Sequence, residues 1–230
     1  MKKGLTELVF IVDRSGSMAG LESDTIGGFN ATLEANRKAE GEAVVSTVLF
    51  DNESIVLHDR LPIDQVKPLT TSDYWVRGCT ALLDAVGGAV RHISRVHGYL
   101  PEEYRPEHTI VVITTDGLEN ASTRYSYSDI KKTIEQKKEE GWEFLFLGAN
   151  IDAIGEAARM GIGEDRAATY LADPAGTHVM HEAQACATVA MRQASAPIGR
   201  SWKASVEHDT ATRSGKQHHA KKGFFSKFGR

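Results

Sequence analysis

The sequence predicts an α/β fold: a Rossmann-like, three-layer α/β/α sandwich with a mainly parallel central sheet and one antiparallel edge strand. Three observations predict it. Short apolar runs rich in β-branched residues alternate with longer segments of helical period along the chain. One pair of these runs is joined by a turn too tight for a crossover, which makes it a hairpin. Aspartates stand just after two of the buried runs, at the strand ends where such sheets bind their ligands.

Residues 7–12 are the first buried strand, and a loop with two glycines follows over 14–20. Residues 21–38 have helical period, with Ile26, Phe29 and Leu33 on one face and Gly41 ending the stretch. Residues 43–50 are the second strand. Asp51-Asn52 is turn chemistry, and 54–58 is a short third strand at the edge. Residues 62–78 read as irregular, with Pro68 as a breaker. A helix over 81–97 keeps Leu82, Val86, Val90 and Ile93 in register. Strand 108–115, helix 128–140 and strand 143–147 come next, with Gly141 closing the helix. A short helix over 152–160 is capped by Asp152, residues 167–171 are a last weak strand, and helix 174–194 begins with Pro174.

Length and composition fit one domain and an appendage. The chain has 230 residues, with 41% hydrophobic and 25% charged, enough to build a core. Net charge is −4, unevenly placed: residues 197–230 carry +6, leaving −10 on 1–196. The division expected is therefore a folded domain over 1–196 and a basic, disordered tail over 197–230. That tail holds His218-His219, a solvated pair, and Lys221-Lys222 with Phe224, Phe225 and Phe228, read first as a solubilising basic tail and second as a cluster suited to an anionic membrane or an acidic groove. The two cysteines, Cys79 and Cys186, show no paired framework and read as reduced thiols in a cytoplasmic protein. The apolar run after Met1-Lys2-Lys3 is too short for a signal peptide, and no segment reaches the ~18 to 20 apolar residues of a membrane span.

Three separated segments carry chemistry: Asp13-Arg14-Ser15-Gly16-Ser17, the lone Thr80, and Asp116-Gly117. They offer three neutral hydroxyls and two carboxylates, an oxygen set for a small hard cation such as Mg2+, with Mn2+ or Ca2+ as alternatives. Ser15 and Ser17 alone would be ordinary turn serines. Gly16 lets its loop turn tightly enough to aim both serines inward. Asp84 reads as a capping-region aspartate, Cys79 as a small buried residue, and Glu119 and Asn120 as rim or plain loop residues. Tyr74, Trp75 and Arg77 are a contact surface or a cover for the helix behind them, and Tyr125 and Tyr127 share that ambiguity.

In this order, the Asp-x-Ser-x-Ser segment, the threonine of Arg77-Gly-Cys-Thr-Ala-Leu-Leu-Asp-Ala and Thr114-Thr-Asp-Gly resemble the von Willebrand factor type A domain over residues 5–196. The likeness is strongest to short stand-alone bacterial members. It implies that Ser15, Ser17 and Thr80 offer hydroxyl oxygens to the metal. It implies that Asp13 and Asp116 bind directly or through water, and that a partner's carboxylate completes the shell. The expected function is a Mg2+-dependent protein-binding module, an intracellular monomeric scaffold that engages an acidic residue of its partner, without catalysis and without nucleic-acid binding by the body. A metal-dependent phosphohydrolase or phosphotransferase with Asp13 as nucleophile is the enzyme alternative. It is weakened by Ser15, where that chemistry usually has a second carboxylate, and by the lack of a phosphate-binding loop. Attachment to nucleic acid or membrane through the tail is the third possibility.

Overall fold

The computed structural model describes residues 1–194 and 198–225, with side chains described through residue 214. Six strands form one sheet in the order β3-β2-β1-β4-β5-β6. They are β1 (Lys2–Asp13), β2 (Glu42–Phe50), β3 (Ser54–Pro62), β4 (Pro106–Thr115), β5 (Trp142–Ala149) and β6 (Ala167–Tyr170). All neighbours pair in parallel except β2 and β3, the expected hairpin. The α/β sandwich with one antiparallel edge strand is therefore the observed fold. β3 runs four residues beyond its expected end, because Arg60, in a left-handed conformation at φ 50°, carries the ladder on to Pro62. Its guanidinium is held by Glu7, a carboxylate buried within β1.

The alternation of side chains along β1 separates two cores. Leu8, Phe10 and Val12 face α1 (Glu22–Lys38), α5 (Pro174–Gln193) and the start of α6 (Ala204–Phe225). Val9 and Ile11 face α2 (Leu82–Tyr99), α3 (Tyr127–Glu139) and α4 (Ala153–Arg159). The strands are apolar on both faces because both faces are covered. Local signals set the helix starts: Ser126 and Asp129 form a capping box on α3, and Asp152 and Asp173 cap α4 and α5.

The segment from 198 onward departs from the expected disordered tail. A single 3-10 turn at Arg200–Lys203 leads into α6, which lies along the β6 edge. Trp202 donates its indole N–H to the Asp165 carbonyl, and the fully buried Lys203 donates to the carbonyls of Glu164 and Ala167. Val206 joins the α1–α5 core, Thr210 donates to the Thr169 carbonyl, and Arg213 pairs with Asp173 at the start of α5. The folded body thus continues past residue 196. Sequence periodicity missed this because most of the attachment is through hydrogen bonds and ion pairs, which leave no apolar stripe. The His218-His219 pair and the phenylalanines at 224, 225 and 228 lie outside the residues whose side chains are described.

Candidate metal centre

β1 leads through α1 to β2 on one side of the sheet, whereas β4 lies on its other side. Neighbouring strands whose connections depart in opposite directions leave a crevice at their carboxyl ends. Asp13 ends β1 and Asp116 directly follows β4, so both carboxylates open into that crevice. Thr80 reaches it from the loop that precedes α2.

The structure brings all five side chains together. The Ser15 and Ser17 hydroxyls are 2.9 Å apart, and Thr80 Oγ1 donates to Ser15 Oγ at 3.0 Å. Ser15 and Thr80 are buried, while Ser17 is exposed and leaves the site open to solvent. The Asp13 carboxylate accepts the Ser15 backbone N–H at 2.6 Å and the Thr115 hydroxyl at 2.5 Å. One oxygen of Asp116, Oδ1, is buried without a hydrogen-bond partner. Gly117 closes the cradle. A Cβ added there would lie 2.6 Å from Thr80 Oγ1 and 3.1 Å from Ser17 Oγ, so only a glycine leaves these hydroxyls their space.

The electrostatics are those of a site short of positive charge. Burial pushes the Asp13 carboxyl up to about 6, against the opposing effect of its bonds from Thr115 and Ser15. Burial also raises Asp116, with the Ser17 hydroxyl offsetting part of the effect. A divalent cation among these oxygens would reverse both costs and give Asp116 Oδ1 a partner. The donor set is one of oxygens, three hydroxyls and two carboxylates, which suits a hard ion. The residues therefore fit a divalent ion, which the Ser15, Ser17 and Thr80 hydroxyls and the two aspartates would hold or orient.

The surrounding residues sort differently from their sequence readings. Asn120 brackets Thr80, accepting its N–H at 2.9 Å and donating its own N–H to the Thr80 carbonyl at 3.1 Å. Glu119 turns away to bind the N–H of Leu83 at the start of α2 and the Ser122 hydroxyl. Asp84 gathers the backbone N–H groups of Thr123, Arg124 and Tyr125, anchoring the loop before α3. Cys79 is exposed, not the small buried residue expected, because the tight approach of Gly78 to the β2–β3 turn leaves its neighbour on the outside. Tyr74 is buried and donates to the Asp13 carbonyl at 2.6 Å, so it supports the metal loop from below. Trp75 is 47% exposed and lies over the Arg14 guanidinium at 5.1 Å. The Tyr125 ring packs against Gly87 of α2, and Tyr127 donates to Glu156 of α4. Thr115 is the supporting residue that sequence reasoning passed over. Its place directly before Asp116, at the end of a β-branched run, was the available signal.

No family model and no curated protein sequence matches the chain. Solved structures do match it in fold. Proximal thread matrix protein 1 from the mussel byssus, in a form described as having a zinc-occupied MIDAS motif, is 16% identical with a TM-score of 0.56, over 81% of this chain and 46% of that one. The manganese-loaded TRAP protein of Plasmodium vivax is 14% identical with a TM-score of 0.51, over 78% of this chain and 73% of that one. A von Willebrand factor type A protein from Catenulispora acidiphila is 15% identical with a TM-score of 0.51, over 80% of this chain and 42% of that one. The chain spans under half the length of the mussel and Catenulispora structures. At such identities the likeness is one of fold.

Proposed function

On this von Willebrand factor type A fold, we propose that the chain is a metal-dependent protein-binding module, which engages a carboxylate of its partner through a Mg2+-class ion. The observation that carries the reading is the meeting of three hydroxyls from two loops with two aspartates of raised pKa, one of which keeps a buried oxygen without a partner. When bound, the ion supplies a positive centre with a coordination position left for an incoming acidic side chain. Hydroxyl ligands are neutral and leave the ion's charge largely unquenched, which favours that capture. Two solved structures of the same fold, one zinc-occupied and one manganese-loaded, support the choice of a divalent ion, but not Mg2+ over Mn2+ or Zn2+.

Binding rather than turnover is proposed because the two carboxylates able to act as a base, Asp13 and Asp116, are taken up by the ion in this reading. The side chains beside the hydroxyls are Asp13, Asp116, Thr115 and Asn120, and Asp13 is already engaged by Thr115 and Ser15. Both free cysteines are exposed, which supports a reducing, intracellular setting as part of the same proposal. No helix among the described residues is long and apolar enough to cross a membrane. The test is affinity capture with the full chain as bait, in Mg2+ and in chelator, with the Asp13→Ala chain alongside. A protein recovered only with Mg2+ and lost with Asp13→Ala supports the reading. The same proteins recovered in all three conditions contradict it.

A further inference from the structure

The two loops that carry the hydroxyls are joined to each other by a charged residue outside the site. Asp51 follows β2 and is fully buried. Its Oδ2 takes Arg77 Nε at 2.7 Å, from the loop that leads to Thr80. The same oxygen lies 3.0 Å from Arg14 Nη2, from within the Asp13–Ser17 loop, an ion pair by proximity without hydrogen-bond geometry. Asp51 Oδ1 accepts the Glu53 N–H, which fixes the carboxylate's orientation, and the Asp51 carbonyl accepts the N–H of Ala81, next to Thr80.

The backbones follow the same pattern. Arg77 donates its N–H to the Arg14 carbonyl at 2.9 Å, and Gly16 donates to the Gly78 carbonyl at 3.1 Å. Arg14 and Arg77 are thus paired through their main chains and again through one carboxylate. Gly78, at φ +68°, passes so close to the β2–β3 turn that an added Cβ would lie 2.1 Å from Asn52 Oδ1. Arg14 itself is fully buried beneath Trp75. A buried ion pair is a poor source of net stability but a good device for fixing register.

We propose that Asp51 is the positioning residue of the metal site. By holding Arg14 and Arg77 to one carboxylate, it sets Thr80 against Ser15 and Ser17 at the spacing a cation needs. The inference rests on the metal reading above and goes beyond it, since Asp51, Arg14 and Arg77 have no place among the ligands. Groups that orient metal ligands typically affect affinity by about 10- to 100-fold when removed.

Arg77 gives the cleanest test, because its side chain is 46% exposed and its loss spares the buried pair. Removing a cation near the site strengthens cation binding if only charge matters. Positioning gives the opposite sign. Mn2+ would be titrated into the full chain and free Mn2+ followed by electron paramagnetic resonance, for wild type, Arg77→Met and an Arg14→Met/Asp51→Leu double variant. The double variant exchanges the buried pair for apolar groups of similar size, so it separates stability from positioning. Thermal melting would be recorded for each. The expected result is Mn2+ affinity about tenfold lower in Arg77→Met, with a lower melting temperature but a cooperative transition. The double variant should lose affinity by a similar or larger factor although it melts as a folded protein. Unchanged or tighter binding in Arg77→Met overturns the inference, as does a folded double variant with wild-type affinity. A wild-type chain that takes up no Mn2+ overturns both this inference and the metal reading.

Discussion

Gly117 shows how one residue's lack of a side chain shapes the site. Its neighbours are the two hydroxyls that a Cβ would press, at 2.6 Å and 3.1 Å. Gly117→Ala should therefore cost cation affinity more than stability, since the loop is at the sheet's end and the strands beneath it are untouched. We expect at least tenfold weaker Mg2+ binding with a melting temperature within a few degrees of wild type, read by calorimetric titration and a thermal scan. Wild-type affinity in Gly117→Ala would mean that the hydroxyl cradle is not where the ion sits. Asp13 and Asp116 carry a different cost at this scale. Each is a carboxylate held where burial disfavours its charge, a penalty that makes sense when a cation repays it.

Among the elements, the α1–α5 contact carries buried polar side chains. Asn36 donates to Thr188, and Arg192 donates to the Asn36 carbonyl and to Gly41 near the end of α1. His181 lies against Gly28, where an added Cβ would meet its ring at 1.8 Å, and neither ring nitrogen has a hydrogen-bond partner among the described residues. Burial, and secondarily the charge of His178, lowers the His181 pKa from 6.5 to about 4. The unfolded chain therefore binds this proton more readily than the folded one. Stability from the neutral ring is complete above pH 6.5 and falls as pH drops from 6.5 toward 4, by about 3 kcal/mol at most. The raised pKa of Asp13 acts in the opposite direction over an overlapping range, so the comparison is with His181→Leu, which keeps Asp13. Denaturant melts at pH 7 and pH 4.5 should show wild type losing more stability than His181→Leu. Equal losses would refute the assignment. α6 supplies a second test. Removing residues 197–230 strips the β6 edge of Lys203, Val206 and Thr210, and burial of Val206 alone contributes about 2 kcal/mol. We expect a clear drop in melting temperature, and an unchanged one would mean that α6 does not hold the fold together.

For the molecule as a whole, the parts legible in the sequence were those written as local pattern. The apolar runs of β1, β2, β4 and β5 and the amphipathic α2 announce themselves by period. Four of the five side chains that meet at the site stand at or follow strand ends that the same pattern locates, and Thr80 stands just before the amphipathic α2. Asp51 is different: in sequence it is turn chemistry, and only the tertiary pairing of two distant loops makes it a shared anchor. Thr115 and Asn120 were obscured likewise, because their partners, Asp13 and Thr80, are 102 and 40 residues away. The turn at Arg200–Lys203 and the α6 it leads into were misjudged since a buried lysine and an indole donor are read from sequence as polar surface. The claim that unites these scales is that the loops after β1 and β4, with the loop before α2, form one divalent-cation site. Calorimetric titration of Mg2+ into the full chain, set beside Asp116→Ala, tests it most directly. The account predicts a single saturable site in the wild type and none in a variant that still melts cooperatively. Equal affinity in the two chains, or no binding by the wild type, would contradict it.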